Sequence, residues 1–241
     1  MKSLILCEGK SDAILLSYYL GRTCGWSSAE PPKGFSIEAE EQKGESAYWY
    51  TKEEKYLLIC GVGGKGKFQS FFNDKIAPMM IDASAFEKIA IVMDRDEQDD
   101  ESIIKSLQQA LAPAISLIEV DKWITNVYQN SFGQGVQVEA LAVIIPSDKE
   151  GALESMLLDA ISEKEYDGII VKRCIEYVHD IQPIAERYIS KRRMKLKACL
   201  GVTWAIQSPE KVFMFIDTQI RSVKWEESEL LRICFRNLRD I

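Results

Sequence analysis

Histidine is almost missing from this sequence: among 241 residues there is one, His179. Acid–base chemistry built on imidazole, a Ser-His-Asp triad included, would have to pass through that residue. Its setting, CIEYVHDI, predicts instead a partly buried packing position on a helix. Long apolar runs are also lacking, and none approaches the ~20 residues that cross a bilayer. The opening MKSLILCEGKSDAILL is apolar in part, but Glu8, Lys10 and Asp12 interrupt it and no small-residue cleavage site follows. This pattern predicts a cytoplasmic protein with no secretory leader and no membrane partner. The six cysteines contain no CxxC or zinc-knuckle spacing, and several sit inside apolar runs such as LILC and LLIC. Reduced, packing thiols are expected. Net positive charge is missing as well: the formal charge is −7. Loose wrapping of DNA, which needs a broad basic surface, is thereby disfavoured.

What remains is the composition of a globular protein, 46% hydrophobic and 28% charged. The chain is long enough for one large α/β domain or for a domain with an extension. Residues 3–8 (SLILCE) read as a buried strand, because a continuous apolar run suits a sheet covered on both faces. Gly9 turns the chain, and Ser11 or Asp12 caps a helix carrying Ile14, Leu15, Tyr18 and Tyr19. From about residue 21 to 55 the pattern dissolves into prolines, glycines and acids around an aromatic island, Tyr48-Trp49-Tyr50, which reads as an insertion holding a hairpin. Strands follow at Tyr56–Cys60, Lys88–Asp94, Ile118–Tyr128 and Val136–Ile145. Helices are expected from Phe68, over Ile103–Leu111, and after Pro146 with Leu153, Met156, Leu157 and Ile161 on one face. The strand–helix alternation argues for a doubly wound, largely parallel sheet, and residues 161–241 for a helical extension packed on the core.

Ligands of open α/β sheets sit beyond the carboxyl ends of the strands. Three carboxylates reach that edge: Glu8 closes the first strand, Asp94 closes the strand at Lys88–Asp94, and Asp96 lies two residues on. If the chain stays extended through Arg95, Asp94 and Asp96 point to the same side. Oxygen-only ligands suit Mg²⁺ or Mn²⁺, which relieve the repulsion of clustered carboxylates and can position a phosphodiester. Asp99 and Asp100 read as caps of the following helix.

Two further segments stay open between readings. Gly61-Val-Gly-Gly-Lys-Gly-Lys67 nearly matches a P-loop but has Phe68 where a hydroxyl should bind Mg²⁺. It is either a flexible turn or a cradle in which Lys65 and Lys67, with Lys10 near the first strand, meet a substrate phosphate. The run Arg187, Lys191, Arg192, Arg193, Lys195, Lys197 is either a solvated helix face or a phosphate-contacting patch. Asp94-Arg-Asp96 also looks like the Asp-x-Asp of haloacid-dehalogenase phosphatases, although Gln98 replaces the hydroxyl residue that pattern needs. Trp123, Trp204 and Trp225 all lie in apolar settings and are expected to pack in the core.

A strand ending CEGKSD and a later strand ending VMDRDE resemble the Toprim domain, which occurs in topoisomerases, bacterial primases, small RNA-maturing nucleases and overcoming-lysogenization-defect nucleases. The Gly-Gly-Lys segment and PSDKEGALESMLLDAI are similar to standalone Toprim proteins, so the resemblance spans roughly residues 1–160. It implies a Mg²⁺- or Mn²⁺-dependent nuclease acting on DNA or RNA. Glu8 is then the general acid/base or a metal ligand, and Asp94 and Asp96 the principal metal ligands. Glu97, Asp12 and Glu154 follow for a second metal or its water, with Glu154 open to being a plain exposed helix residue. The alternative is a Toprim-fold module that works only with a partner, such as an ATPase, through an exposed surface at Tyr48–Tyr50.

Overall fold

The structure, a computed structural model, describes residues 2–83, 85–211, 220–221 and 223–241. The first strand, β1 (Lys2–Cys7), leads through Glu8 and Gly9 into α1 (Lys10–Cys24). Next come β2 (Ser27–Ser28), β3 (Glu45–Lys52) and β4 (Lys55–Val62). A short α2 (Phe68–Phe71), one π-helical turn (Phe72–Ile76) and α3 (Ala77–Ala83) bring the chain to β5 (Lys88–Asp94) and α4 (Asp100–Leu111). The remaining elements are β6 (Ile124–Gln129), β7 (Gly135–Ile145), α5 (Leu153–Ser162), α6 (Glu165–Ile181), α7 (Glu186–Ile189), α8 (Arg192–Gln207) and α9 (Glu229–Cys234). The parts of the expected helical tail at 212–219 and 222 lie outside the described residues. No helix among the described residues is long and apolar enough to cross a membrane.

Seven strands form one mixed sheet in the order β2-β3-β4-β1-β5-β7-β6. Its centre, β4-β1-β5-β7, is parallel, while β2, β3 and β6 run antiparallel to their neighbours. Strand alternation sorts the central side chains into two layers. Ile5, Cys7, Ile59, Ala90, Val92, Leu141 and Val143 face a core built with α1, α5, α6, α8 and α9. Leu4, Leu6, Leu58, Cys60, Ile91, Met93 and Ile144 face a second core built with Phe68, Phe72, Ile103 and Leu107. Burial on both faces is why these strands read as unbroken apolar runs. The protein is thus an α/β fold with a mostly parallel seven-stranded sheet and helices on both faces.

Three expectations change. The strand foreseen over Ile118–Tyr128 begins only at Ile124, because Asp121 takes a left-handed φ of 57° and closes a turn between Glu119 and Lys122. The segment 21–55 does hold a hairpin, but β3 adds to the main sheet: Trp49 is buried, and Tyr48 and Tyr50 are half-buried against the α1 side. No exposed aromatic surface exists at Tyr48–Tyr50, since alternate residues of a paired strand each find a covered face. His179 stands exposed on α6 rather than packed. Trp204 and Trp225 are buried, as their apolar settings foretell. Half-buried Trp123 packs on the same core, and its indole N–H donates to the Asn237 carbonyl at 3.2 Å.

Candidate functional site: a buried carboxylate cluster under an arginine

The parallel register brings the ends of β1, β4 and β5 to one edge, with Cys7 beside both Gly61 and Val92. Glu8 therefore emerges next to Asp94, and its Oε1 accepts the Asp94 backbone N–H at 3.1 Å. Asp94 Oδ1 accepts the Leu153 N–H at 2.9 Å, which ties β5 to the first turn of α5. Asp12, in the first turn of α1, accepts the Gly9 N–H at 3.0 Å. Glu154 sits in the first turn of α5. Both acids gain from the partial positive charge of a helix N-terminus. All four carboxylates are buried: Glu8 is 2% exposed, Asp94 1%, Asp12 6% and Glu154 5%.

Such crowding raises the cost of ionisation. Burial, then the charges of Asp12 and Glu8, push the Asp94 pKa strongly upward, while Arg193 pulls the other way. Burial, followed by Glu8, pushes Asp12 up to about 7. Glu8 rises through burial, opposed first by Arg193.

The compensating charges come from α8. Arg193 spreads its guanidinium across the cluster, with Nη1 at 3.3 Å from Glu8 Oε2 and Nη2 at 2.6 Å from Asp94 Oδ2. One turn on, Lys197 donates to Glu154 Oε1. The other oxygen, Glu154 Oε2, is buried with no hydrogen-bond partner among the described residues. Arg192 reaches outward to Glu97 at 2.6 Å and Glu150 at 3.2 Å. Arg193 lines two cavities. One, of about 300 Å³, includes Glu8, Lys10, Asp12, Glu154 and Lys197. The other, of about 590 Å³, includes Lys65, Asp96, Gln98, Arg192 and Leu196.

Asp96 is held differently from Asp94. Its φ of 53° ends the extended run, and mutual backbone hydrogen bonds with Gly151 (2.6 and 2.9 Å) hold it there. Its carboxylate pairs instead with Lys65 at 3.0 Å, and the same ammonium donates to the Asp94 carbonyl. The extended run assumed through Arg95 ends at the next residue. Among the described residues no three acid, thiol or imidazole groups stand where one ion could take them all. Glu97 is exposed and held by Arg192. Lys67 donates to the Lys43 carbonyl at 2.7 Å. Lys10 and Lys191 are exposed at the starts of α1 and α8. Asp99 caps α4 by accepting the Ser102 N–H at 2.7 Å, and Asp100 pairs with Arg95. His179 lines neither cavity.

The pairing of Arg193 with Glu8 and Asp94 escaped the sequence, because the partners are 185 and 99 positions apart. A signal existed in the four-residue spacing of Arg193 and Lys197, which puts two cations on one helix face.

Fold and site together define an α/β protein with a buried acidic cluster at the carboxyl edge of its parallel strands. The chain belongs to the family described as a protein of unknown function (DUF3226), whose sequence pattern matches residues 2–233. No curated protein matches it. Among solved structures it is similar to the crystal structure of hypothetical protein PH0156 from Pyrococcus horikoshii OT3. The two share 18% identity over 98% of this chain and 99% of that one, with a TM-score of 0.48.

Proposed function

We propose that this chain is a Toprim-type nuclease that uses Mg²⁺ or Mn²⁺ to act on phosphodiesters of DNA or RNA. One observation carries the reading: Glu8 and Asp94, on the ends of adjacent parallel strands, already share a single cationic group. Two buried carboxylates that share one cation fit a hard divalent ion, which needs only one or two carboxylates and takes its other positions from water and phosphate oxygens. Glu8 and Asp94 would hold it, or Asp94 alone with Glu8 kept for the proton, and water and phosphate oxygens would fill the other positions. Glu154 and Asp12 lie beside them, and Asp96 would join only if Lys65 released it. The ion would neutralise charge on the phosphoryl oxygens.

The residues themselves supply the rest. In hydrolysis a water oxygen bonds to phosphorus while the P–O bond to the leaving oxygen breaks. Glu8, when held off the ion, takes the water proton and returns one to the leaving oxygen; when it is a ligand, solvent carries the proton. The cavity of about 590 Å³, with Lys65 and Arg192 on its wall, has room and charge for the flanking phosphates. A second reading, a module that becomes active only with a partner such as an ATPase, is favoured by Arg193 itself, since a filled acidic site has low activity alone.

The test is calorimetric titration of Mn²⁺ into wild type and Asp94→Asn. Wild type should bind and cleave a nucleic-acid substrate, and the variant should do neither while keeping its circular dichroism spectrum. Unchanged binding in Asp94→Asn would remove this cluster as the metal site.

A further inference from the structure

We infer that the first turn of α8 is an autoinhibitory latch: Arg193 fills the cation position between Glu8 and Asp94, and the turn must withdraw before a divalent ion can bind. The inference rests on the metal-site reading above and adds a moving part to it.

Three observations support a latch rather than a permanent strut. First, the contact is ionic and reached from the solvent side. The Arg193 side chain is 42% exposed while its two partners are 2% and 0% exposed. Competing ions therefore approach the pair along the arginine. Second, the turn has little stability of its own. Lys191 at the N-cap gives no side-chain cap hydrogen bond, and α8 opens with Arg192 and Arg193, cations at the end of a helix that disfavours them. The segment before it, α7, is one turn long with no buried residue. What holds the turn itself down is its acidic partners, Glu97 and Glu150 for Arg192 and Glu8 and Asp94 for Arg193. Half-buried Ile189 packs on the core before it, and Lys197 meets Glu154 one turn on. Deeper in α8, Cys199, Leu200, Thr203 and Trp204 are buried, so the helix has a fixed end about which its first turn can fray. Third, Arg193 lies on the wall of both cavities, the one with Glu8 and Asp12 and the one with Lys65 and Arg192. Its withdrawal leaves nothing of its side chain between them.

Opening exchanges partners. A divalent ion takes Glu8 and Asp94, and the freed guanidinium groups of Arg192 and Arg193 turn to phosphodiester oxygens, which suit a planar fork. The ion and the nucleic acid thereby favour the same open state, and each strengthens the other.

The experiment pairs Mn²⁺ calorimetry with hydrogen exchange on wild type, Arg193→Ala, Arg193→Lys and Asp94→Asn. A latch closed in about nine molecules of ten weakens apparent binding about tenfold, so Arg193→Ala should bind Mn²⁺ about tenfold tighter than wild type. Arg193→Lys, which keeps the charge but loses the fork, should fall between them and covers the case in which the alanine variant does not fold. Mn²⁺ should also speed exchange of amides 192–197 in wild type. Equal affinities in wild type and both Arg193 variants, with binding still lost in Asp94→Asn, would overturn the latch and leave the metal site standing. No Mn²⁺ binding by any folded variant would overturn both.

Discussion

Asp12 tells most about how the cluster is balanced. Its carboxylate accepts the Gly9 N–H and so helps start α1, yet it is buried beside Glu8, which pushes its pKa up to about 7. An unfolded aspartate titrates near ~3.9. The folded state therefore binds the proton more tightly, and the stability this gives is full below about pH 4 and is lost as pH rises through about 7. Glu8 and Asp94 are shifted in the same direction. Asn at position 12 retains an oxygen for Gly9 but carries no charge. Asp12→Asn should thus be more stable than wild type at pH 8, by about 1–3 kcal/mol, and converge with it near pH 4. Urea denaturation at the two pH values checks this; parallel pH profiles would mean that Asp12 does not carry the strain. Glu8 and Asp94 were legible as strand-closing acids, because an acid ending an apolar run is a local pattern. The left-handed backbone of Asp96 was not legible, because it is set by Gly151, 55 positions away, which no local periodicity encodes.

At the scale of elements, the site depends on how closely β4 can approach the turn between β1 and α1. Gly61 lies beside Cys7 in the parallel register. A Cβ there would stand 2.7 Å from the Gly9 carbonyl group and 2.7 Å from Ser46 Oγ. The Glu8 carbonyl is fastened on the same side by the Gly64 N–H at 2.7 Å. Glycines that looked like half of a P-loop therefore do steric work, letting β4 and its loop close over the turn that carries Glu8. Gly61→Ala should cost about 1–3 kcal/mol through overpacking, and the displaced turn should weaken Mn²⁺ binding as well. Wild-type Mn²⁺ affinity in a destabilised Gly61→Ala would show that the turn yields without moving Glu8. The parallel strands were readable to within a residue or two, β5 at its full Lys88–Asp94 span, because burial on both faces leaves an unbroken apolar run. β3 was harder to see: a strand near the sheet margin with mixed burial resembles an insertion until its pairing with β4 is known.

Across the whole molecule, the described part of residues 161–241 packs into the core of what precedes it. Trp204, Trp225, Leu231, Phe235 and Leu238 share one continuous core with Ile5, Leu15 and Tyr19, and Tyr19 meets Phe235 edge-on at 5.2 Å. Lys88, at the start of β5, donates to the Asp240 carbonyl at 2.7 Å. The helical tail therefore joins α1 and α5 in covering one face of the sheet, and α8 delivers Arg193 to the opposite end of that layer. A layer that seals a core and also carries a labile first turn should separate two kinds of motion. Global unfolding should be one transition, with near- and far-ultraviolet circular dichroism coinciding in urea. Opening of residues 192–197 should occur below it, at a smaller free energy. A chain ending after α5 would expose the apolar face that α6, α8 and α9 cover, and should aggregate or lose its near-ultraviolet signal. If it instead folded with an intact signal, the tail would be a separate domain. Arg193 would then be held by docking of that domain as a whole, and hydrogen exchange should show all of α8 opening together rather than its first turn alone.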